Sequence, residues 1–256
     1  MKISAVIIAF NEESNIADAI GSVDWADEVL VIDSESTDAT RDIAAGLGVR
    51  VIVEKWRGFA KQKQFAVEQA VNDRIFSLDA DERVSEPLKK EMLRIRDLDR
   101  VADGYRIPRL AIYMGREIRH GGWYPDWQLR FFDRRKGHWK DVLIHESFEM
   151  QPGSTTEHLK GDLIHFTVNS AAEHHRMIGE RYAPLAARQM FELGKRTNVL
   201  KIATAGCLAF ISTYFLKLGF LDGAEGYMIA RFAAHHAFLK HVLLHELQET
   251  QTLSSK

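Results

Sequence analysis

Residues 3–10, ISAVIIAF, are an almost wholly apolar run, and residues 11–15, NEESN, are all polar. The run is rich in β-branched residues and lacks the alternation of a half-buried strand, so it predicts a strand covered on both faces. The polar break opens a helix over Asn11–Val23, with Ile16, Ala19, Ile20 and Val23 on one face and Asn11 or Ser14 as its cap. The same unit then repeats. Glu28–Ile32 predicts a second strand, the turn Asp33-Ser-Glu-Ser-Thr-Asp38 opens a helix over Ala39–Leu47, and Val49–Val53 predicts a third strand. A helix over Lys61–Val71 leads to a fourth strand, Arg74–Leu78, which ends in Asp79-Ala-Asp-Glu82. Repeated strand–helix units predict an α/β, Rossmann-like fold, a mostly parallel sheet with helices on both faces. Such sheets bind ligands beyond the carboxyl ends of their strands. Three polar clusters fall there: Asn11-Glu12-Glu13, Asp33 to Asp38, and Asp79-Ala80-Asp81.

Beyond residue 100 the pattern changes. Short β-rich pieces, Tyr105–Pro108 and Leu129–Phe132, flank a segment rich in glycine and aromatics, HGGWYPDWQ (120–128). After Ser170 the chain turns helical, over Ala171–Leu193, Leu200–Leu216 and Gly226–Leu247. One boundary near residue 170 is therefore expected, between residues 1–170 and a C-terminal helical region, 171–256.

The 256 residues are 46% hydrophobic and 27% charged, with a net charge of −2, as in an ordinary globular protein. That balance argues against a dedicated nucleic-acid binder, which carries a basic excess. The single cysteine, Cys207, excludes a disulfide framework within the chain and suits a reducing compartment. The N-terminal apolar run is short and acids follow it, so it reads as a strand rather than a signal peptide. The longest uncharged apolar stretch, Ile202–Leu216 between Lys201 and Lys217, is shorter than the roughly 20 residues of a spanning helix. It suits a helix lying on a membrane. Lys195, Arg196, Lys201, Lys217, Arg231 and Lys240 would then contact anionic lipid, with ordinary packing as the other reading.

Asp79, Asp81 and Glu82 repel one another unless a cation or water intervenes. A lone Asp-x-Asp is commonly a solvated turn. A calcium loop counted from Asp79 would need glycine sixth and glutamate twelfth, where Val84 and Lys90 stand. An aspartate nucleophile of the phosphatase type closes a first strand, whereas this pair closes a fourth. A hard divalent cation shared with a diphosphate fits better. Asp79 and Asp81 lie two apart and share a face, and Ala80 is small enough to admit a nucleotide.

The combination AVIIAFNEESNI (5–16), VLVIDSESTDAT (29–40) and FSLDADERV (76–84) resembles the family 2 glycosyltransferases, which have the GT-A fold and use nucleotide-sugar donors. GGWYPDWQLRFF (121–132) and VLIHESF (142–148) resemble a bacterial subgroup that includes lipopolysaccharide core glucosyltransferases. The resemblance implies a GT-A catalytic domain over 1–170, nucleotide-sugar binding in 1–100 and an acceptor side in 101–170. Ala9, Phe10, Asn11, Glu12, Asp33 and Ser36 would hold the nucleoside, with Asp38 serving as a helix cap. Lys61, or Lys63 and Gln64, would reach the donor. Asp79, beside Ala80, would contact the ribose or the metal, and Asp81 would bind Mg2+ or Mn2+ directly. His145 would complete the metal site, with His165 as another candidate.

The family's base commonly comes from a Glu-Asp pair. This chain has Pro125-Asp126, a departure that leaves Asp126 as the candidate base, with Glu146 positioning acceptor or base. Gln128 and Arg130 would belong to the donor site, and Arg134 would pair with diphosphate or face water. Trp123, Tyr124 and Trp127 offer flat faces for sugars. The expected reaction is an inverting, metal-dependent transfer of a hexose, glucose from UDP-glucose. Its acceptor would be a sugar of a bacterial envelope glycolipid, such as lipopolysaccharide inner core, at the cytoplasmic face of the inner membrane. A sugar-phosphate nucleotidyltransferase is the enzymatic alternative, disfavoured because AFNEESN is no glycine-rich basic loop. A non-catalytic nucleotide-sugar-binding protein at the membrane is the other.

Overall fold

The computed structural model describes residues 1–140 and 147–254. In chain order its elements begin with β1 (Ile3–Ala9), α1 (Ile16–Ser22), β2 (Glu28–Asp33), α2 (Thr40–Gly46), β3 (Arg50–Val53) and α3 (Phe59–Gln69). Then come β4 (Arg74–Asp79), β5 (Glu82–Val84), α4 (Glu86–Arg96), β6 (Gly104–Tyr113), β7 (Arg116–Ile118) and β8 (Asp126–Asp133). β9 (Gly137–Trp139), β10 (Phe148–Met150), β11 (Thr156–His158) and β12 (Leu163–Val168) come next. The chain ends in α5 (Ala171–Arg176), α6 (Ala183–Glu192), α7 (Val199–Ile211) and α8 (Gly223–Ser254). These elements form two compact units, Met1–Leu110 with Asp126–His165, and Ala111–Pro125 with Phe166 onward. A single boundary near residue 170 does not describe this division, because Ala111–Pro125 joins the helical unit.

In the first unit β1 is buried along its whole length. Its residues alternate between two cores, as the strand period requires. Ile3, Ala5, Ile7 and Ala9 join Ile16, Ala19 and Ile20 of α1 and Leu88, Met92 and Ile95 of α4. Val6 and Ile8 join Ala60, Ala66 and Val67 of α3. Both faces are therefore covered by helices, and each buried isoleucine contributes about 2 kcal/mol. β3, β2, β1 and β4 run parallel in that order. Beyond β4 the pairing becomes antiparallel, β8 against β4 and β6 against β8. The sheet is thus mixed, parallel in the half that the strand–helix repeat encodes.

Two local irregularities shape the loop after β1 and the β6–β8 ladder. α1 starts at Ile16 rather than near Asn11, and Asn15 at its N-cap makes no side-chain cap bond. Asn11 instead takes a left-handed backbone, φ 54°, and its Oδ1 accepts the Thr37 N–H. Neither Asn11 nor Ser14 caps the helix. In the β6–β8 ladder, Tyr105 faces Phe131 while Arg106 faces Leu129, so Arg130 is skipped. An extra residue of this kind bends a strand and re-aims its side chain.

In the second unit the end of β6 turns back on β7 through Met114 and Gly115, both at positive φ (50° and 85°). That combination matches the twist of a tight hairpin. Tyr113, Ile118, Val168 and Ile229 form its core. α5 and α6 are joined by a π-helical turn, Met177–Tyr182, and a second one, Ser212–Leu216, extends α7. α7 packs on α8 at Gly206, where an added Cβ would lie 3.1 Å from the Ala234 carbonyl oxygen.

Candidate active site

Parallel pairing brings the polar strand ends together. Ala9 of β1 pairs with Asp33 of β2, and Ile8 pairs with Asp79 of β4. The loops after β1 and β2 are then stitched to each other. Asn11 N–H donates to Ser36 Oγ (2.9 Å), Glu12 N–H to Thr40 Oγ1 (2.8 Å), and Glu13 N–H to Asp38 Oδ2 (3.1 Å). Asp38 also accepts the Thr40 N–H at the start of α2 (3.0 Å), so it caps locally and joins the loops. Asp33 is fully buried; its Oδ1 accepts the Ser36 N–H (2.9 Å), while its Oδ2 has no hydrogen-bond partner among the described residues. Gln62 of α3 is buried too, with Nε2 donating to Ser34 Oγ (3.2 Å) and to the Glu54 carbonyl (3.1 Å) and Oε1 without a partner among the described residues. Two buried acceptors left open cost free energy that a ligand N–H or O–H would recover. Phe10 presents an exposed ring at the end of β1.

The repelling acids of 79–82 are held by cations from three other elements. α3 turns its buried residues, Ala60, Gln62, Lys63, Ala66 and Val67, toward the sheet at helical spacing. Lys63 Nζ lies 2.9 Å from Asp79. The bulged Arg130 sends Nη2 to Asp79 Oδ2 (2.7 Å) and to Glu82 Oε1 (2.6 Å). Arg109 of β6 reaches Glu82 Oε1 (3.3 Å) and grips Asp126 Oδ2 through Nε (2.9 Å) and Nη2 (2.6 Å). Cation and anion therefore alternate along Lys63, Asp79, Arg130, Glu82, Arg109 and Asp126. Burial alone would raise the Asp79 carboxyl, but Arg130 and Lys63 hold it well below the usual carboxylate range.

This ladder differs from the sequence expectation in several places. Asp79, expected to share the metal, has both oxygens facing Lys63 or Arg130. Ala80, expected to face a nucleotide, is buried in the apolar cluster with Ala9 and Leu78, because its neighbours on β4 alternate faces. Among the donor candidates of α3, Lys63 enters the site. Lys61 is exposed, and Gln64 is occupied by the Trp139 N–H and by Glu68. Arg134 ties off the C-terminus of α3, on the Val67 and Ala70 carbonyls and Asp73, rather than facing a diphosphate. Arg109 is absent from the sequence expectation altogether. It stands directly across from Asp126 in the β6–β8 register, a relation that no spacing in the chain announces.

Asp81 remains open, with its side chain 33% exposed and His165 Nε2 at 3.3 Å from Oδ2. β12 delivers that histidine, since its antiparallel register with β5 sets His165 opposite Glu82, one residue from Asp81. Glu12 lies close enough that Asp81 adds to a rise in its carboxyl pKa, caused first by burial and opposed by the Asn15 amide. Asp81 and His165 are donor types that a divalent cation accepts, and the Arg83 guanidinium is near enough to be coupled to Asp81 and Glu12. Among the described residues no group of three or more His, Cys, Asp or Glu is placed to hold a metal ion. Two donors suffice for Mg2+ or Mn2+ when a diphosphate and water complete the shell. His145 and Glu146 lie outside the described residues.

Asp126 is held on both oxygens, by Arg109 and by Gln128 Nε2 on Oδ1 (2.8 Å), yet stays 40% exposed. The aromatic candidates are divided between the two units. Trp127 is exposed, stacks on His158 at 4.3 Å and lines a cavity of about 410 Å3 with Arg106, Gln128, Trp139 and Phe148. Trp123 and Tyr124 belong to the second unit. There Trp123 packs edge-on against Tyr113 (5.8 Å), and Arg119 lies over the Tyr124 ring.

Glu82 is the hub of the ladder and is fully buried. Glu82→Gln keeps the volume but removes the charge that faces Arg130 and Arg109. Breaking a buried pair in this way is expected to cost about 3 kcal/mol, measured as a lower urea midpoint at unchanged slope. A loss near zero would mean that water, rather than Glu82, compensates the two guanidiniums.

The family model described as Glycosyl transferase family 2 matches residues 4–160. An uncharacterized glycosyltransferase of Rickettsia typhi is 31% identical, over 96% of this chain and 87% of its own. The lipopolysaccharide core biosynthesis glycosyltransferase LpsC of Rhizobium meliloti is 30% identical, over 93% of this chain and 90% of its own. Among solved structures, S. aureus TarS (1–349) in complex with UDP superposes with a TM-score of 0.48 at 13% identity, covering 98% of this chain and 92% of that one.

Proposed function

The chain belongs to glycosyl transferase family 2, and from that premise we propose that it moves a hexose, glucose from UDP-glucose, onto a sugar of a bacterial envelope glycolipid. The name of the relative LpsC supports lipopolysaccharide core as the acceptor class. Membership of this family also sets the nucleotidyltransferase and the non-catalytic binder aside. The observation that carries the reading is the meeting of three strand ends. There, buried open acceptors on Asp33 and Gln62 lie in one unit with the Asp81–His165 pair.

In this reading Asp33 Oδ2 and Gln62 Oε1 accept hydrogen bonds from base or ribose of the donor, beside Phe10. Asp81 and His165 would hold Mg2+ or Mn2+, which when bound offsets the charge developing on the leaving diphosphate. Lys63 and Arg130 keep Asp79 ionised and fixed at the edge of that site. Asp126, oriented by Arg109 and Gln128, takes the proton of the acceptor hydroxyl as its oxygen attacks the anomeric carbon. The new C–O bond forms as the bond to diphosphate breaks, UDP leaves, and the configuration inverts. Work at the cytoplasmic face of the inner membrane is consistent with a nucleotide-sugar donor and a lipid-linked acceptor.

Without acceptor, such an enzyme hydrolyses its donor slowly. The purified chain is expected to release UDP from UDP-glucose with manganese, to stop on chelation, and to melt later with UDP and manganese. The absence of both UDP release and stabilisation across a panel of UDP-sugars would overturn the reading.

A further inference from the structure

In the second unit, α7 and the turn after it carry an apolar face that nothing among the described residues of the unit covers. Val199, Leu200, Leu208 and Leu216 are 77%, 71%, 63% and 76% exposed. Phe215 and Leu221 continue the patch at the turn. The opposite side of α7 is spent on α8, closely enough that Gly206 has no room to spare beside Ala234. A contiguous apolar face of this kind is costly in water and marks a docking surface.

The charges around it select the occupant. Between Glu192 and Asp222 there is no carboxylate, and Lys195, Arg196, Lys201 and Lys217 bracket the apolar residues. An apolar helix with lysines at both ends and no acid complements an anionic headgroup layer over hydrocarbon, since lysine stems can lie along the apolar surface with their ammonium groups in the headgroups. By length and composition Val199–Leu216, 18 residues with a mean hydropathy of 1.7, could cross a bilayer. Crossing would carry the attached α8, with Arg231, Lys240 and Glu246, into hydrocarbon at several kcal/mol for each charge. Lying in the interface exposes only the uncovered face to lipid and leaves α8 in water.

We propose that the α7 hairpin docks the chain onto anionic phospholipid bilayers as an interfacial, non-spanning helix. The hairpin also holds the segment His120–Gly121 of the same unit. His120 N–H and Nδ1 lie 2.8 Å from the two carboxylate oxygens of Asp222, and Gly121 N–H donates to the Lys217 carbonyl (2.8 Å). The chain then runs on within a few residues to Asp126. Docking does not depend on the transfer reading, whereas its use to meet a lipid-linked acceptor rests on it.

The test is flotation of the full chain with phosphatidylcholine vesicles, with and without phosphatidylglycerol, at low salt. The chain is expected to float with the anionic vesicles and to be released by salt. Leu208→Asp with Leu216→Asp, both at exposed positions, is expected to weaken flotation about tenfold or more. The circular dichroism and the solution UDP release of this variant should remain unchanged. Failure of the wild-type chain to float, or undiminished flotation of the double variant, overturns the proposal. A stable dimer that the double variant dissolves also overturns it, because the face is then an interface between copies. Flotation is read without donor and UDP release without vesicles, so either reading fails independently of the other.

Discussion

Asp81→Ala is expected to lower UDP-glucose-dependent transfer about a thousandfold, equivalent to about 4 kcal/mol of barrier. The size follows from what the position faces. Asp79, Glu82 and Asp126 are each hydrogen-bonded by lysine or arginine, whereas Asp81 meets His165 at 3.3 Å and shares the longer-range charges of Glu12 and Arg83. In the proposed reading, its removal would delete one of two donors from a site whose remaining ligands come with the substrate. The diphosphate would then leave without charge compensation, where such compensation is a large term in catalysis. The decisive readout is the manganese-dependent shift in melting temperature with UDP. It should vanish in Asp81→Ala while the melting temperature without ligand stays within a few degrees, because Asp81 is a third exposed and lies outside the buried ladder. A variant that still binds UDP in a manganese-dependent manner would move the metal site elsewhere in the chain. His165→Ala should reproduce the effect in weaker form.

Asp126→Asn should leave donor binding within about twofold and reduce turnover about a thousandfold, inside the usual range for loss of a general base. Asparagine preserves the shape and can still accept from Arg109 through its oxygen, so the position stays folded while losing its capacity to take a proton. A single-turnover assay with acceptor separates the two effects, since binding should persist and the chemical step should slow. Near-normal turnover would place the base elsewhere, with Glu146 as the next candidate. Arg109→Lys is the informative companion. Lysine keeps a charge but cannot bridge Glu82 and Asp126 with a planar fork, so turnover should fall without loss of UDP affinity.

Much of the fold was legible because its signals are local. The run of β1 is apolar without alternation since both faces meet helices, and the polar residues after β1, β2 and β4 sit where parallel strands end. Pattern and spacing therefore give the α/β half and its order, while the family is carried by the resemblance of three motifs to it. The antiparallel half was harder to read, since β6 and β8 are longer than their β-rich cores and their sequences do not state a partner. The helical tail was visible as helices, but the π-helical turns that join them left no mark in composition.

The site divides along the same line. Residue types and their order already place acids at three strand ends, and the family resemblance makes Asp81 and Asp126 the candidates for metal and base. Which of those acids are already compensated is a property of the folded chain alone. Lys63 meets Asp79 from a helix face, Arg130 turns inward because a bulge skips it, and Arg109 reaches Asp126 because two antiparallel strands set them opposite. His165 reaches Asp81 across 84 positions through the register of β12 on β5. Electrostatic compensation acts through distances of a few ångströms, and strand register, not separation along the chain, sets those distances.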